Sequence, residues 1–133
     1  MSSIENKQLI EAFYAAGNRG DLQSCLVMLA DDVVWTNIGT TRYSGKYAGK
    51  EALITNLLGP VFSQLKAGMQ STLDNIIAEG DYVVVQSRGS AETTDGRSYH
   101  NTYCHVFRIR DGRISEVTEY LDTQLVNDVF GSS

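Results

Sequence analysis

Apolar positions along the chain follow two periods. They recur every three to four residues at first, and alternate from residue 69 to residue 121. A period near 3.6 marks an amphipathic helix, and a period of two marks a strand with one covered face. Leu9, Ile10, Phe13 and Tyr14 make the first helical stripe. Its helix opens at Ser2-Ser3-Ile4-Glu5, a Ser-x-x-Glu capping box, and ends at Gly17 and Gly20. Asp21 can cap a second helix whose stripe is Leu22, Cys25, Leu26 and Leu29. Together the two cover residues 3–30. Val33-Val34-Trp35 then reads as a short strand. Residues 37–50, NIGTTRYSGKYAGK, hold three glycines and two tyrosines without a period, and read as a loop. A third helix over residues 50–67 starts near Gly49 and carries Leu53, Ile54, Leu57 and Leu58. Gly59-Pro60 should kink or break it, because proline lacks the N–H and clashes with the preceding turn.

The alternating half reads as four long strands, at 69–79, 82–94, 97–110 and 113–121. Gly80-Asp81, Asp95-Gly96 and Asp111-Gly112 are the turns between them, the last two being strong hairpin signals. The strands form an antiparallel meander. The tail TQLVNDVFG spaces Leu125, Val126, Val129 and Phe130 as a short closing helix. Helices first and a meander afterwards is an α+β order, with the helices covering one face of the sheet. One stretch breaks the apolar pattern. NTYCHVF, residues 101–107, lies in a strand whose one face carries Tyr99, Asn101, Tyr103, His105, Phe107 and Ile109. An amide and an imidazole interrupt a face of aromatics.

Composition narrows what such a domain can do. The 133 residues suggest one domain, 1–133, and 42% hydrophobic content is enough for a core. A net charge of −5 with no run of like sign argues against nucleic acid and anionic membrane as partners. Cys25 and Cys104 are too few for a disulfide framework and read as free thiols. No apolar run approaches the roughly 20 residues that span a bilayer. The N-terminal MSSIENKQ lacks signal-peptide character. A soluble cytoplasmic protein is the expectation. His100 and Cys104 share a strand face, but no further Cys or His completes a zinc set, so no metal is expected. No phosphate loop, dinucleotide fingerprint or nucleophile elbow is present, and no cofactor is expected.

Three motifs carry a family resemblance: AAGNRGDLQS after the first helix, LADDVVWTN into the first strand, and HVFRIRDGRISEVTEYLD at the end. With these the chain resembles the SnoaL-like and ketosteroid isomerase-like proteins of the nuclear transport factor 2-like superfamily. The resemblance implies a cystatin-like cone: N-terminal helices packed in a curved antiparallel sheet, with a pocket at the open end, often in a homodimer. It specifies the fold better than the reaction. Where the isomerases it resembles carry a base Asp, this chain has Asn37; where they carry a helical Tyr donor, Phe13; where they carry a protonated Asp, His105. The limonene epoxide hydrolases correspond at Asn37, Arg88 and Glu119, while Trp35 and Ser90 stand where those enzymes have Tyr and Asp. The SnoaL cyclases place a late carboxylate where Glu119 lies, with His105 as its partner.

His105 and Glu119 are the candidates for proton transfer. An imidazole titrates near neutral pH, and a carboxylate set between Val117 and Leu121 on one strand face can be tuned by burial. Each has a structural alternative, a satisfied core histidine and a structural acid paired with Arg88 or another base. The substrate-binding candidates are Asn37, Trp35, Arg88, Tyr103, Asn101 and Phe13. Arg88 can clamp an anion or carbonyl; its alternative is a surface salt bridge. Tyr43 and Tyr47 are candidates for a lid. The reading that follows is cofactor-independent acid/base chemistry of isomerase, cyclase, dehydratase or hydrolase type on a small, largely apolar or carbonyl-bearing molecule. The alternatives are a non-catalytic binding module and a dimerising scaffold.

Overall fold

A computed structural model describes residues 2–131. Helix α1, Ser3–Asn18, is capped by Ser2, whose hydroxyl accepts from the Glu5 N–H while the Glu5 carboxylate accepts from the Ser2 N–H, each at 3.1 Å. Helix α2, Leu22–Met28, is capped by Asp21. The side chain of Asn18 fastens the end of α1 to the sheet by bonding both backbone groups of Ser71, at 2.7 and 2.9 Å. The chain then forms β1, Leu29–Asn37, and β2, Gly45–Ala48. A helical segment follows: α3, Lys50–Leu53; a π-helical turn, Ile54–Leu58; and α4, Gly59–Phe62. The long strands are β3, Gln70–Glu79; β4, Tyr82–Glu92; β5, Ser98–Arg110; and β6, Arg113–Leu121. Helix α5, Thr123–Phe130, closes the fold.

The six strands make one curved sheet in the order β2-β1-β6-β5-β4-β3. The meander β3 to β6 is antiparallel throughout. Helix α1 packs on β3 and β4, and α5 on β5. Burial alternates along β5 as the period of two requires. Tyr99, Asn101, Tyr103, His105, Phe107 and Ile109 are all buried. The fold is the α+β arrangement that the two periods imply.

Three expectations are corrected. The second helix stops at Met28, and Leu29 already opens β1, where it pairs with Ile114 of β6. The 37–50 segment holds β2, a four-residue edge strand antiparallel to β1 that is too short to show a period. The third helix stops at Phe62, and it passes Pro60 without breaking. The turn ahead of the proline widens instead: the Gly59 N–H reaches back to the Ile54 carbonyl, five residues away. A methyl at Gly59 would sit 2.9 Å from that carbonyl oxygen, so the close approach needs glycine.

One pairing has no local signal in the chain. β1 joins β6 in parallel, and the register sets Asn37 beside Glu119. β5 sets His105 opposite Glu119 on the other side. Three adjacent strands therefore place an amide, a carboxylate and an imidazole in one row. Cross-strand neighbours have Cβ atoms about 5 Å apart.

Candidate functional site

The row lines a cavity of about 750 Å³ between the inner face of the sheet and the helices. Its walls are mostly apolar: Phe13, Leu26, Trp35, Leu57, Val61 and Phe107 are among them. A cavity of this size lined by apolar groups with a few polar ones is the usual form of a small-molecule site. Among the lining residues, Glu119 is the one acid and Arg19, at the turn after α1, the one Lys or Arg.

His105 stands at the centre of the polar groups. Its Nε2 lies 2.8 Å from Glu119 Oε1 and its Nδ1 2.9 Å from the Tyr14 hydroxyl. Burial pushes the Tyr14 phenol above its ordinary range, and the charge of Glu119 adds to the rise. Tyr14 therefore keeps its proton, and with a neutral imidazole it donates to Nδ1 while the Nε2–H donates to the carboxylate. Four rings fix the imidazole in this orientation. Tyr103 and Phe107 stack on it at 5.4 and 5.7 Å between centroids, and Trp35 and Tyr14 meet it edge-on at 5.9 and 6.1 Å. The side chains of His105 and Glu119 are 9% and 15% exposed, so the pair is shielded but reachable from the cavity. Glu119 Oε1 is taken by the histidine. Among the described residues, Oε2 has no hydrogen-bond partner.

The other sequence candidates divide. Trp35 and Asn37 both line the cavity, and the Trp35 indole N–H donates to Asn37 Oδ1 at 2.9 Å. Asn37 Nδ2 in turn donates to the Tyr43 carbonyl at 3.1 Å, which the Tyr47 hydroxyl also reaches, at 2.8 Å. Tyr43 and Tyr47 thus anchor the end of the entry strand. Phe13 and Tyr103 line the cavity as wall.

Two candidates stand elsewhere. Arg88 is on the outer face of the sheet, forked onto Asp74 of β3, with Nη2 2.9 Å from Oδ1 and Nε 3.0 Å from Oδ2. The inward face of β4 is the small one, Ser87 and Gly89. A methyl on Gly89 would sit 2.6 Å from Met69 Sδ and 2.8 Å from Tyr103 Cε2. The face is small because the Tyr103 ring and Met69 lie on it, which leaves no room for an arginine. Asn101 is buried but fully engaged. Its Oδ1 accepts from the backbone N–H of Thr102 and of Asp122, and its Nδ2 donates to the Tyr99 hydroxyl and the Asp122 carbonyl. It holds Asp122, the cap of α5, rather than facing the cavity.

Tyr14, which shares the first apolar stripe with Phe13, lines the cavity as well and is the one of the two that bonds His105. Matching the first helix to the isomerase pattern selected Phe13, its neighbour. The signal for Tyr14 was its place four residues after buried Ile10 on the same stripe. Tyr99 is a second group not singled out. It is 3% exposed, lines the cavity, and lies 3.1 Å from the Tyr103 hydroxyl. Among the described residues no group of three or more His, Cys, Asp or Glu side chains could hold a metal ion, and no helix is long and apolar enough to cross a membrane.

Comparison with known proteins gives a consistent family signal. The SnoaL-like domain profile matches residues 10–117. No curated protein matches the chain. Among solved structures, a nuclear transport factor 2-like protein of unknown function from Burkholderia pseudomallei is 28% identical, over 97% of this chain and 98% of that one, with a TM-score of 0.84. TerC, co-crystallised with polyporic acid, is 26% identical over 96% of this chain and 99% of its own, with a TM-score of 0.81. A LEH-like epoxide hydrolase from M. tuberculosis is 24% identical over 98% of each chain, with a TM-score of 0.76, and shares the fold.

Proposed function

We propose that this chain, which belongs to the SnoaL-like domain family, binds a small, largely apolar, carbonyl- or ring-bearing molecule in its cavity and moves a proton on it without a cofactor. The observation that carries the reading is the open oxygen of Glu119. A carboxylate in an apolar cavity, with one oxygen held by an imidazole N–H and the other free, is built to accept a proton. Glu119 is the base. His105 has both nitrogens engaged, so it acts by holding Glu119 and spreading its charge toward Tyr14, not by touching the substrate. This assigns the histidine a smaller part than its titration range suggests.

The step balances simply. A C–H bond next to a carbonyl breaks, its proton goes to Glu119 Oε2, and its electron pair moves to the carbonyl oxygen. Returning the proton to another carbon gives an isomerase outcome; attack of the enolate carbon on a second carbonyl of the same molecule, whose oxygen then takes the proton, gives a cyclase outcome; loss of a neighbouring hydroxyl, which takes the proton and leaves as water, gives a dehydratase outcome. Epoxide hydrolysis has less support, because the Arg88 that would complete that set stands outside the cavity. TerC's co-crystal with polyporic acid adds support for a small organic ligand.

The test needs no natural substrate. In deuterium oxide, the α-protons of 2-tetralone, a bicyclic ketone, exchange slowly in buffer, and NMR follows the loss of their signal. The protein should accelerate exchange, and Glu119→Gln should reduce the acceleration by at least about 100-fold, within the usual contribution of a positioned acid or base. An acceleration equal in wild type and Glu119→Gln would sink the base assignment. A second reading, a binding module without chemistry, is favoured by one observation: both His105 nitrogens are already satisfied inside the protein. Binding of the ketone with no exchange above buffer selects that reading.

A further inference from the structure

The cavity holds a second polar centre, apart from Glu119 and His105. Tyr99 and Tyr103 are 3% and 7% exposed, and their hydroxyls are 3.1 Å apart. Their protons can be counted. The orientation of Asn101 is fixed, because its Oδ1 accepts from two backbone N–H groups at 2.7 and 3.0 Å. Its Nδ2 must then donate to Tyr99 Oη, at 2.9 Å. The two phenols own two protons. One makes the bond between them, whichever way it points. If Tyr99 donates, the Tyr103 proton is left with Met69 Sδ, 3.7 Å away, and a thioether is a weak acceptor; if Tyr103 donates, the Tyr99 proton has no acceptor among the described residues. Burial holds both phenols above their ordinary range, so neither proton is lost near neutral pH. A buried donor without a good acceptor is costly unless something else fills the place.

We propose that the Tyr99–Tyr103 pair is a binding centre for a neutral carbonyl oxygen, which makes the ligand a ketone or a related carbonyl compound. This rests on the reading of the cavity as the ligand site and names the ligand's chemistry. Three features select a neutral oxygen over a carboxylate or phosphate. Glu119 puts a negative charge into the same cavity. Arg19, the one Lys or Arg in the lining, is engaged with Asp21 at 3.4 Å and is largely exposed. Asn101, behind Tyr99, is neutral. Tyr103 and His105 are alternate inward residues of β5, so their Cα atoms lie about 6–7 Å apart, roughly one ring of a cyclic ligand. The phenols and Glu119 line the same cavity, so a carbonyl at the phenols can set its adjacent carbon toward Glu119. When the proton leaves that carbon for Glu119, the negative charge passes to the oxygen the phenols hold, and the cavity's total charge is unchanged.

The experiment compares 2-tetralone with tetralin, the same two rings without the oxygen, by calorimetric binding to the full chain. The ketone should bind about 5- to 10-fold more tightly, the range of one hydrogen bond between neutral groups. Its carbonyl stretch should fall in frequency on binding. In Tyr99→Phe/Tyr103→Phe both phenol protons are gone; tetralin should bind as before, the ketone's preference should vanish, and the stretch should return toward its value in hydrocarbon. Tetralin binding also reports that the variant is folded. A ketone preference that survives in the double variant, or an unshifted carbonyl band in wild type, overturns the proposal while leaving the cavity reading intact. Failure of both compounds to bind wild type overturns both.

Discussion

Among the acid–base pairs that bridge adjacent strands of the sheet, two lie on opposite faces. His105–Glu119 joins β5 to β6 inside the cone, and Arg88–Asp74 joins β4 to β3 outside it. The outer pair has the better contact by ordinary criteria: three hydrogen bonds from a guanidinium to a carboxylate. Yet its side chains are 61% and 41% exposed, and water screens what geometry offers. The inner pair has a single bond and 9% and 15% exposure, so little solvent competes with it. Shielding, more than the number of bonds, decides which pair can be used chemically. The inner pair also keeps one oxygen uncommitted, which the outer carboxylate does not.

Removing half of the inner pair should have the largest effect. His105→Ala leaves Glu119 and the Tyr14 hydroxyl without their shared partner and opens a void among four aromatic rings. A loss of about 3 kcal/mol in chemical denaturation is expected. Ketone exchange should fall with it, even at temperatures where the variant is folded. If stability is unchanged, the pair is not the shielded contact described here.

Gly89→Ala comes next. It sits one residue from Arg88 in the chain but on the opposite face, against Met69 and Tyr103. Met69 can swing away, whereas the Tyr103 ring is trapped against His105. A loss of about 1–3 kcal/mol is expected, together with weaker ketone binding. A neutral result would mean that the ring has slack.

Arg88→Ala should have the smallest effect, with ketone exchange at the wild-type rate. Arg88 holds the Asp74 carboxyl below its ordinary value of 3.8, through their hydrogen bonds and then through charge. A carboxyl with a lowered folded-state pKa adds stability above its unfolded value and loses it as pH falls through the lowered one. Arg88→Ala should therefore flatten part of the stability loss below about pH 4 and leave the rest of the profile in place. A change in exchange rate would bring Arg88 back into the site.

The same two pairs mark where the chain is legible and where it is not. Alternation along β5 put His105 among the inward residues, and Val117, Glu119 and Leu121 on one face of β6, because a period of two is a local property. Capping at Ser2 and Asp21 and the turns at Gly80 and Asp111 are local as well. Arg88 was misplaced because alternation says which residues share a face and not which face is covered. The small side of β4 was the covered one, since ring packing needed space there. Tyr14 was missed because neighbours on a helix point about 100° apart, and tertiary packing fixes which of the two looks inward. The parallel pairing of β1 with β6 joins residues about 80 positions apart and leaves no turn residue to announce it. That pairing is also what brings Asn37 beside Glu119.

The widened turn at Ile54–Leu58 has a consequence for how such a protein changes over generations. A π-helical turn is a helix carrying one residue more than its ladder of bonds counts. Loss of one codon there would restore the α-helical count and leave the turns on either side on the faces they already present. Val61 and Phe62 would still line the cavity, and the change would fall on Ile54, Leu57 and Leu58, which line it from within the turn. The sheet with its base and its phenols would stay where it is. Lineages sharing this scaffold thus have a route to new ligand shapes by single-residue length changes in one wall, without altering the machinery opposite.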